Sequence, residues 1–206
     1  VTDDDWHKVG ERIREARIAA GLSVRELARR MGVSPSHVSQ VERGIGSFSV
    51  PTLYTVVREL GLSVGDLIPA PVISPAASPS EREREIRDTP QFVLRKESRP
   101  TIRLSNGPRW DRLTPQNEPD VEFLEVTYEP GTGGHANHIQ HDGREYGVVI
   151  EGELSVEVEG TTAVLQAGDS IVFDSQRRHR FWNGSSVAVR AVWFVRDRAG
   201  STVPHV

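Results

Sequence analysis

Across residues 7–68 apolar side chains recur at three- and four-residue spacings, while beyond residue 120 they alternate with polar ones. The first pattern predicts amphipathic helices and the second half-buried strands. Val9, Ile13, Ala16 and Ala20 share one helical face, and Gly21 stops the run. Ser23 and Glu26 have capping-box spacing and open a second helix, with Leu27, Ala28 and Met31 inward and Gly32 at its end. Ser34 caps a third, with Pro35 at the first helical position, where a missing N–H is no loss. Val38 and Val41 face inward and Gly44 closes it. Pro51 begins a fourth helix carrying Leu53, Val56, Val57 and Leu60, stopped by Gly61. Ser63 and Asp66 open a short fifth that ends near Ile68. These short helices predict a compact all-α bundle.

The stretches VEFLEVTYEP, GVVIEGELSVEVEG, TTAVLQAG, DSIVFD and VAVRAVWFV are short, β-rich and broken by Gly, Asn and Pro. Such a series predicts a closed barrel or a sandwich. Between the two patterns lies PAPVISPAASPS, residues 69–80, whose prolines and serines favour extended, solvated backbone. The charged run EREREIRD follows and reads as a solvated face. The expectation is therefore a two-domain α + β chain: a helical domain over 1–70, a linker over 71–90 and an all-β domain over 91–206.

Composition narrows the class. At 206 residues, two small domains can each bury a core. No apolar run reaches the roughly 18–20 residues of a membrane span, so no membrane partner is expected. The acidic start VTDDD has no secretory-signal character, and no cysteine is present to form a disulfide or thiolate metal site. A cytoplasmic location is the default. The net charge of −4 is the wrong sign for a generic nucleic-acid binder, but it is unevenly spread. From Arg12 to Arg43 there are seven arginines against three glutamates. Local charge, not the total, sets a DNA footprint.

The outer face of the third helix sharpens that hint. With Val38 and Val41 inward, it offers Ser36, His37, Ser39, Gln40 and Arg43. These are hydrogen-bonding side chains suited to base edges in a major groove, with no carboxylate among them. The run LSVRELARRMGVSPSHVSQVERG followed by PTLYTVVRELGLSVGDL closely resembles the XRE-type helix-turn-helix domain of bacterial and phage repressors, over about residues 7–68. The resemblance implies that the start of the third helix, at Ser34, enters the major groove. Pro35, Ser36 and Gln40 then align with base-facing positions, while Arg43, Ser23 and Arg25 hold phosphates. Double-stranded operator DNA is the implied partner.

In the strand-rich half, Gly133, His141, Glu145 and Gly152 fall in the register G-x5-H-x-H-x3-E-x6-G, with Ile139 at the first histidine position. Gly168, His179 and Asn183 fit G-x5-P-x-G-x2-H-x3-N, with Asp174 and Gln176 in place of the proline and glycine. These two motifs, in this order, resemble those of the cupin family, a double-stranded β-helix or jelly-roll barrel. Positions 139, 141, 143 and 145 share strand parity and are expected inside the barrel. His138 has the opposite parity, and His135 lies in a glycine-rich approach. His141, Glu145 and His179 remain as a metal or effector pocket. Two imidazoles and a carboxylate suit non-haem Fe(II) and would equally hold Mn, Ni or Zn. The alternative is a metal-free pocket in which the three bond each other or a ligand. Trp110, Phe123, Phe173, Trp182 and Trp193 are candidate pocket aromatics; Arg144 and Tyr146 are expected to point outward or into a neighbouring subunit.

The whole chain resembles the two-domain XRE–cupin transcriptional regulators, in which the barrel is the small-molecule sensor and dimerisation module. That implies a homodimeric regulator without catalytic residues. The alternative is a mononuclear iron oxygenase or epoxidase. A phosphonate epoxidase likewise joins a helix-turn-helix-like domain to a cupin and uses a similar H-x3-E plus distant His set. The groove-compatible third helix favours the regulator, because an enzyme using the bundle as scaffold has no need of it.

Overall fold

The computed structural model describes residues 4–68, 90–104, 107–118, 120–133 and 138–196. Helices α1 (Asp4–Ala19), α2 (Val24–Met31), α3 (Pro35–Glu42), α4 (Val50–Leu60) and α5 (Val64–Leu67) form the predicted bundle. The expected linker over 71–90 and the run EREREIRD lie, Pro90 apart, outside the described residues.

The helix ends largely obey their sequence signals. Ser34 Oγ accepts the His37 amide, and Gly32 and Gly61 end α2 and α4 in the left-handed conformation. The expected capping box on α2 is only half made. Ser23 Oγ accepts the Glu26 amide, but the Glu26 carboxylate turns to Arg29 and Arg30 instead of reaching back. The complete box belongs to α5, between Ser63 and Asp66.

The core of the bundle departs from the simple periodicity at one place. Ala20 lies exposed beyond the end of α1, and Arg17 is the buried residue instead. Its Nε donates to Glu42 Oε1 at 2.5 Å and its Nη2 to Oε2 at 2.9 Å, while Nη1 donates to the Leu22 carbonyl at 2.8 Å. A guanidinium bonded at all three nitrogens, two of them to one carboxylate, tolerates burial that a single charge would not. Helix α1 can lie this close to α3 because residue 10 is glycine: a Cβ there would stand 2.1 Å from the Val41 carbonyl oxygen.

Among the described residues the second half holds nine strands: β1 (Thr101–Arg103), β2 (Arg109–Arg112), β3 (Val121–Tyr128), β4 (Arg144–Glu151), β5 (Glu153–Val158), β6 (Thr161–Gln166), β7 (Ser170–Asp174), β8 (His179–Trp182) and β9 (Val189–Arg196). They pair antiparallel in a six-stranded sheet, β1-β2-β3-β9-β4-β7, and a three-stranded sheet, β6-β5-β8. Period-two burial is clean on β9, where Val189, Ala191, Trp193 and Val195 are buried and the residues between them are not. The predicted α + β architecture with a cupin barrel is the one found.

The two halves are packed together. Trp6 Nε1 donates to the Arg103 carbonyl at 2.6 Å, and Asn117 Nδ2 to Asp66 Oδ1 at 2.6 Å. Gly65 of α5 meets Asn117 so closely that a Cβ there would sit 1.8 Å from Asn117 Oδ1. Buried side chains of both halves form one continuous hydrophobic cluster.

The Arg17–Glu42 pair makes the bundle's stability testable. Glu42→Ala strands a buried guanidinium and should cost about 3–5 kcal/mol, read as a lower urea midpoint. The double replacement Arg17→Met/Glu42→Leu should recover most of that loss, because it removes both charges together.

Candidate functional site

Two places carry chemistry. The first is the third helix, where Ser34, Pro35, Ser36, Gln40 and Arg43 are exposed and Ser39 is half-buried. Ser23 and Arg25, at the start of α2, are exposed on the same bundle. Arg43 Nε donates to the Ser39 carbonyl at 3.1 Å, which ties its side chain along the helix end. His37 is less free than its position in the sequence implied. Its Nε2 lies 3.3 Å from the Ser47 carbonyl and its ring meets Phe48 edge-on at 5.2 Å. The carboxylate that follows, Glu42, is buried against Arg17, so no acid is among the exposed side chains of α3.

The second is inside the barrel. Glu145 is delivered inward by β4 and His179 by the start of β8, and both are buried. His141 does not lie on a strand: β4 begins only at Arg144. The segment before β4 is held by the chain that precedes β8. The Ile139 and His179 backbones bond each other in both directions, at 2.8 and 3.1 Å, and the His141 amide donates to the Ser175 carbonyl at 3.1 Å. That cross-link, not strand parity alone, brings the two histidines together, their rings edge-on at 5.6 Å.

His141 Nε2 lies 2.9 Å and His179 Nε2 3.1 Å from the same oxygen, Glu145 Oε1. One donor atom from each residue falls within 4.8 Å of the other two. Each ring uses its far nitrogen elsewhere: His141 Nδ1 is 2.9 Å from the Asp142 carbonyl and His179 Nδ1 is 2.7 Å from the Arg177 carbonyl. A carbonyl only accepts, so both Nδ1 atoms carry protons and, in the neutral rings, both Nε2 lone pairs point inward. The second Glu145 oxygen accepts from Trp193 Nε1 at 2.6 Å, which orients the carboxylate. His141 Nε2 and Glu145 Oε1 are buried and face each other at 2.9 Å, yet neither completes a hydrogen bond. Inward lone pairs, an unpartnered carboxylate oxygen and outer hydrogen bonds that fix each ligand are the arrangement of a metal site. The His–Glu–His group therefore fits a divalent cation.

The electrostatics agree. Burial alone raises the Glu145 pKa, but contact with His141 and then His179 overcomes it and holds the carboxyl well below its usual range. Burial lowers the His141 pKa, yet contact with Glu145 outweighs it and the net direction is up. Without an ion, a proton on His141 is what reconciles the ring with the carboxylate.

The remaining sequence candidates divide. Ile139 is buried and lines the cavity of about 70 Å³ beside the triad, an apolar wall where the motif has a histidine. His138 points away, with Nε2 2.8 Å from Glu157 Oε1, and His135 lies outside the described residues. Trp110 and Trp193 line the cavity, and Phe173 packs edge-on against His179 at 4.9 Å. Phe123 and Trp182 do not reach it. Phe123 packs on Phe194 across the strand pair, and Trp182 lies beneath the Arg180 guanidinium. Arg144 and Tyr146 point outward as expected.

Phe181 and Tyr128 line the cavity without having been singled out, and so does Tyr54. Tyr54 comes from α4 of the helical half. Its ring stacks on His141 with centroids 4.1 Å apart and planes 4° from parallel, and its hydroxyl donates to Glu122 Oε2 at 3.2 Å. No local motif marks it, because its role exists only when the halves meet.

With this geometry in view, comparison with known proteins is specific. The chain matches the Helix-turn-helix family over residues 13–67 and the Cupin domain family over residues 124–195. It is 28% identical over 191 residues to the HTH-type transcriptional regulator PuuR of Escherichia coli, covering 92% of this chain and 95% of that one. It is 25% identical over 179 residues to the HTH-type transcriptional regulator SutR of the same organism, covering 86% and 88%. Among solved structures, an HTH_3 family transcriptional regulator from Vibrio cholerae superposes with a TM-score of 0.65 at 18% identity, over 95% of this chain and 98% of that one. That last likeness is one of fold.

The triad generates a pH prediction. Without an ion, the raised His141 pKa gives the pair a stabilisation that is full below the unfolded value of 6.5 and lost as pH rises through the folded value. The lowered Glu145 pKa makes it present above 4.5 and lost as pH falls toward about 2. A Glu145→Gln chain should therefore lose most thermal stability, relative to the unaltered chain, between those two unfolded values. Zn(II) affinity, read by isothermal titration, should instead increase as pH rises through the His141 pKa, since a metal needs the neutral ring.

Proposed function

We propose that this chain, which belongs to the XRE-type helix-turn-helix transcriptional regulators with a C-terminal cupin domain, binds operator DNA as a homodimer and senses a small molecule in its barrel. The observation that carries the DNA reading is the exposed, carboxylate-free face of α3. Ser34, Pro35, Ser36, His37, Ser39 and Gln40 present it to the major groove, with Arg43, Ser23 and Arg25 on the flanking phosphates. A helix-turn-helix unit reads half a site, so a two-fold pair with recognition helices ~34 Å apart is the geometry an operator needs. The barrel half, residues 91–206, is the dimerisation module, with residues 1–70 as the DNA-binding domain. The location is the cytoplasm, where operator DNA is; among the described residues no helix is long and apolar enough to cross a membrane.

His141, Glu145 and His179 are the effector pocket, with Fe, Mn, Ni or Zn as the candidate ion. A bound ion would supply open coordination positions for an oxygen or nitrogen donor of the effector. The chain's own part is to fix both rings through their Nδ1 bonds and the carboxylate through Trp193. The same triad favours a second reading, an iron-dependent oxygenase. The two part on one measurement: the enzyme reading requires oxygen uptake with Fe(II) and a substrate, abolished by His179→Ala.

For the regulator, fluorescence anisotropy on DNA from upstream of its own gene provides the test. Gln40→Ala should cost about 1–3 kcal/mol on the specific site and relax one base position. Arg43→Ala should weaken all sequences alike. Equal affinity of the unaltered chain for specific and random duplex rules the assignment out. Light scattering should give a dimer at micromolar concentration.

A further inference from the structure

We infer that the Tyr54–His141 stack is a latch through which occupancy of the triad by a metal ion clamps the DNA-binding half against the barrel. The inference rests on the metal reading of the triad and assigns how that site would be heard by the helices.

Tyr54 borders two spaces. It lines the inner cavity of about 70 Å³ beside the triad and also an outer cleft of about 410 Å³ between α4–α5 and the barrel rim, and His141 lines both. The stacked pair of rings thus borders both spaces, as Val195 does. One ring belongs to the helical half and the other is a candidate metal ligand.

The two partners are held by different contacts. Tyr54 is anchored by its Glu122 hydrogen bond and by Trp110, whose ring centroid is 6.2 Å away. His141 sits ahead of β4, in a segment with no strand of its own; its Nδ1 is held by the Asp142 carbonyl, while its Nε2 faces Glu145 Oε1 at 2.9 Å without completing a hydrogen bond. An ion bound through that nitrogen would tie the ring to Glu145 and His179 as well, and so stiffen the plane on which Tyr54 lies. Docking of the two halves then costs less ordering, so ion and docking favour each other. Such coupling is reciprocal by thermodynamic necessity.

The latch lies close to the DNA-reading element. Ser49 and Val50, at the start of α4, line the same inner cavity. Their neighbour Phe48 is fully buried and touches His37 of α3, and Ser47 accepts from or faces the His37 ring through its carbonyl. A shift of α4 on the barrel therefore reaches the recognition helix through one short connection, residues 47–50.

Co(II) alone is the probe, because its visible d–d absorption reports ligation independently of DNA. In the full chain, Co(II) should give that band and should slow amide hydrogen exchange over residues 47–57. Tyr54→Ala should keep the band, bind Co(II) about five-fold more weakly, within the usual range of coupling between linked sites, and show no ion-dependent slowing over 47–57. Tyr54→Phe keeps the stack and loses only the hydroxyl bond, so it should retain the slowing. Persistence of the band in Tyr54→Ala also reports that its barrel is folded. Equal slowing in Tyr54→Ala and the unaltered chain overturns the latch while leaving the metal site standing. Absence of the band from the unaltered chain overturns the metal reading and the latch with it.

Discussion

A buried carboxylate needs partners, and Glu145 finds all of them inside the barrel. One oxygen takes the Trp193 indole and the other faces two imidazoles. Leaving such a group charged in an apolar interior is costly unless protons or a cation converge on it. Much of the surrounding structure serves that convergence. Gly147, two residues further along β4, has no side chain, and a Cβ there would meet the Trp193 ring at 2.2 Å. The bridge between Ile139 and His179 closes the two segments that bring the histidines in. The barrel is thus built around a charge that it keeps ionised.

The helical half solves the same problem differently. Arg17 and Glu42 satisfy each other as a bidentate pair, with the Leu22 carbonyl completing the set. Neither side chain has a buried nitrogen or oxygen left without a hydrogen bond. In the barrel, by contrast, His141 Nε2 and Glu145 Oε1 remain without hydrogen bonds. Burial of charge alone does not mark a candidate site; buried charge with unused lone pairs on two metal-ligating side chains does.

Between these two charged centres the halves share one apolar core, so the fold is more than two domains on a string. Tyr54 is the point where the sharing matters most. Its burial and the nearby Glu122 carboxylate push its hydroxyl pKa well above the ordinary range, so it stays a neutral donor. A neutral, hydrogen-bonded ring is a durable partner for an imidazole whose charge can change. Contact between α4 of the helical half and the barrel cavity is a physical route by which a change in one half biases the other.

The amino-acid sequence by itself determined the elements, because their signals are local. Ser34, Pro35 and the glycines after α2 and α4 mark helix ends, and alternation marks β9. It also supplied the triad, since His141, Glu145 and His179 stand at motif positions that the barrel brings together. Local signals failed where a residue's role depends on distant partners. Glu26 had capping-box spacing but found two arginines nearer. Arg17 broke the apolar stripe of α1 because Glu42 waits for it in α3. Phe123 and Trp182 were indistinguishable from pocket aromatics until strand register placed one on the outer face and the other under Arg180. Tyr54 carried no signal at all. Only the packing of the two halves decided that a tyrosine of the fourth helix would lie flat on a histidine more than eighty residues further along the chain. Periodicity reports which face of an element is buried, but not against what, and it is the second question that function turns on.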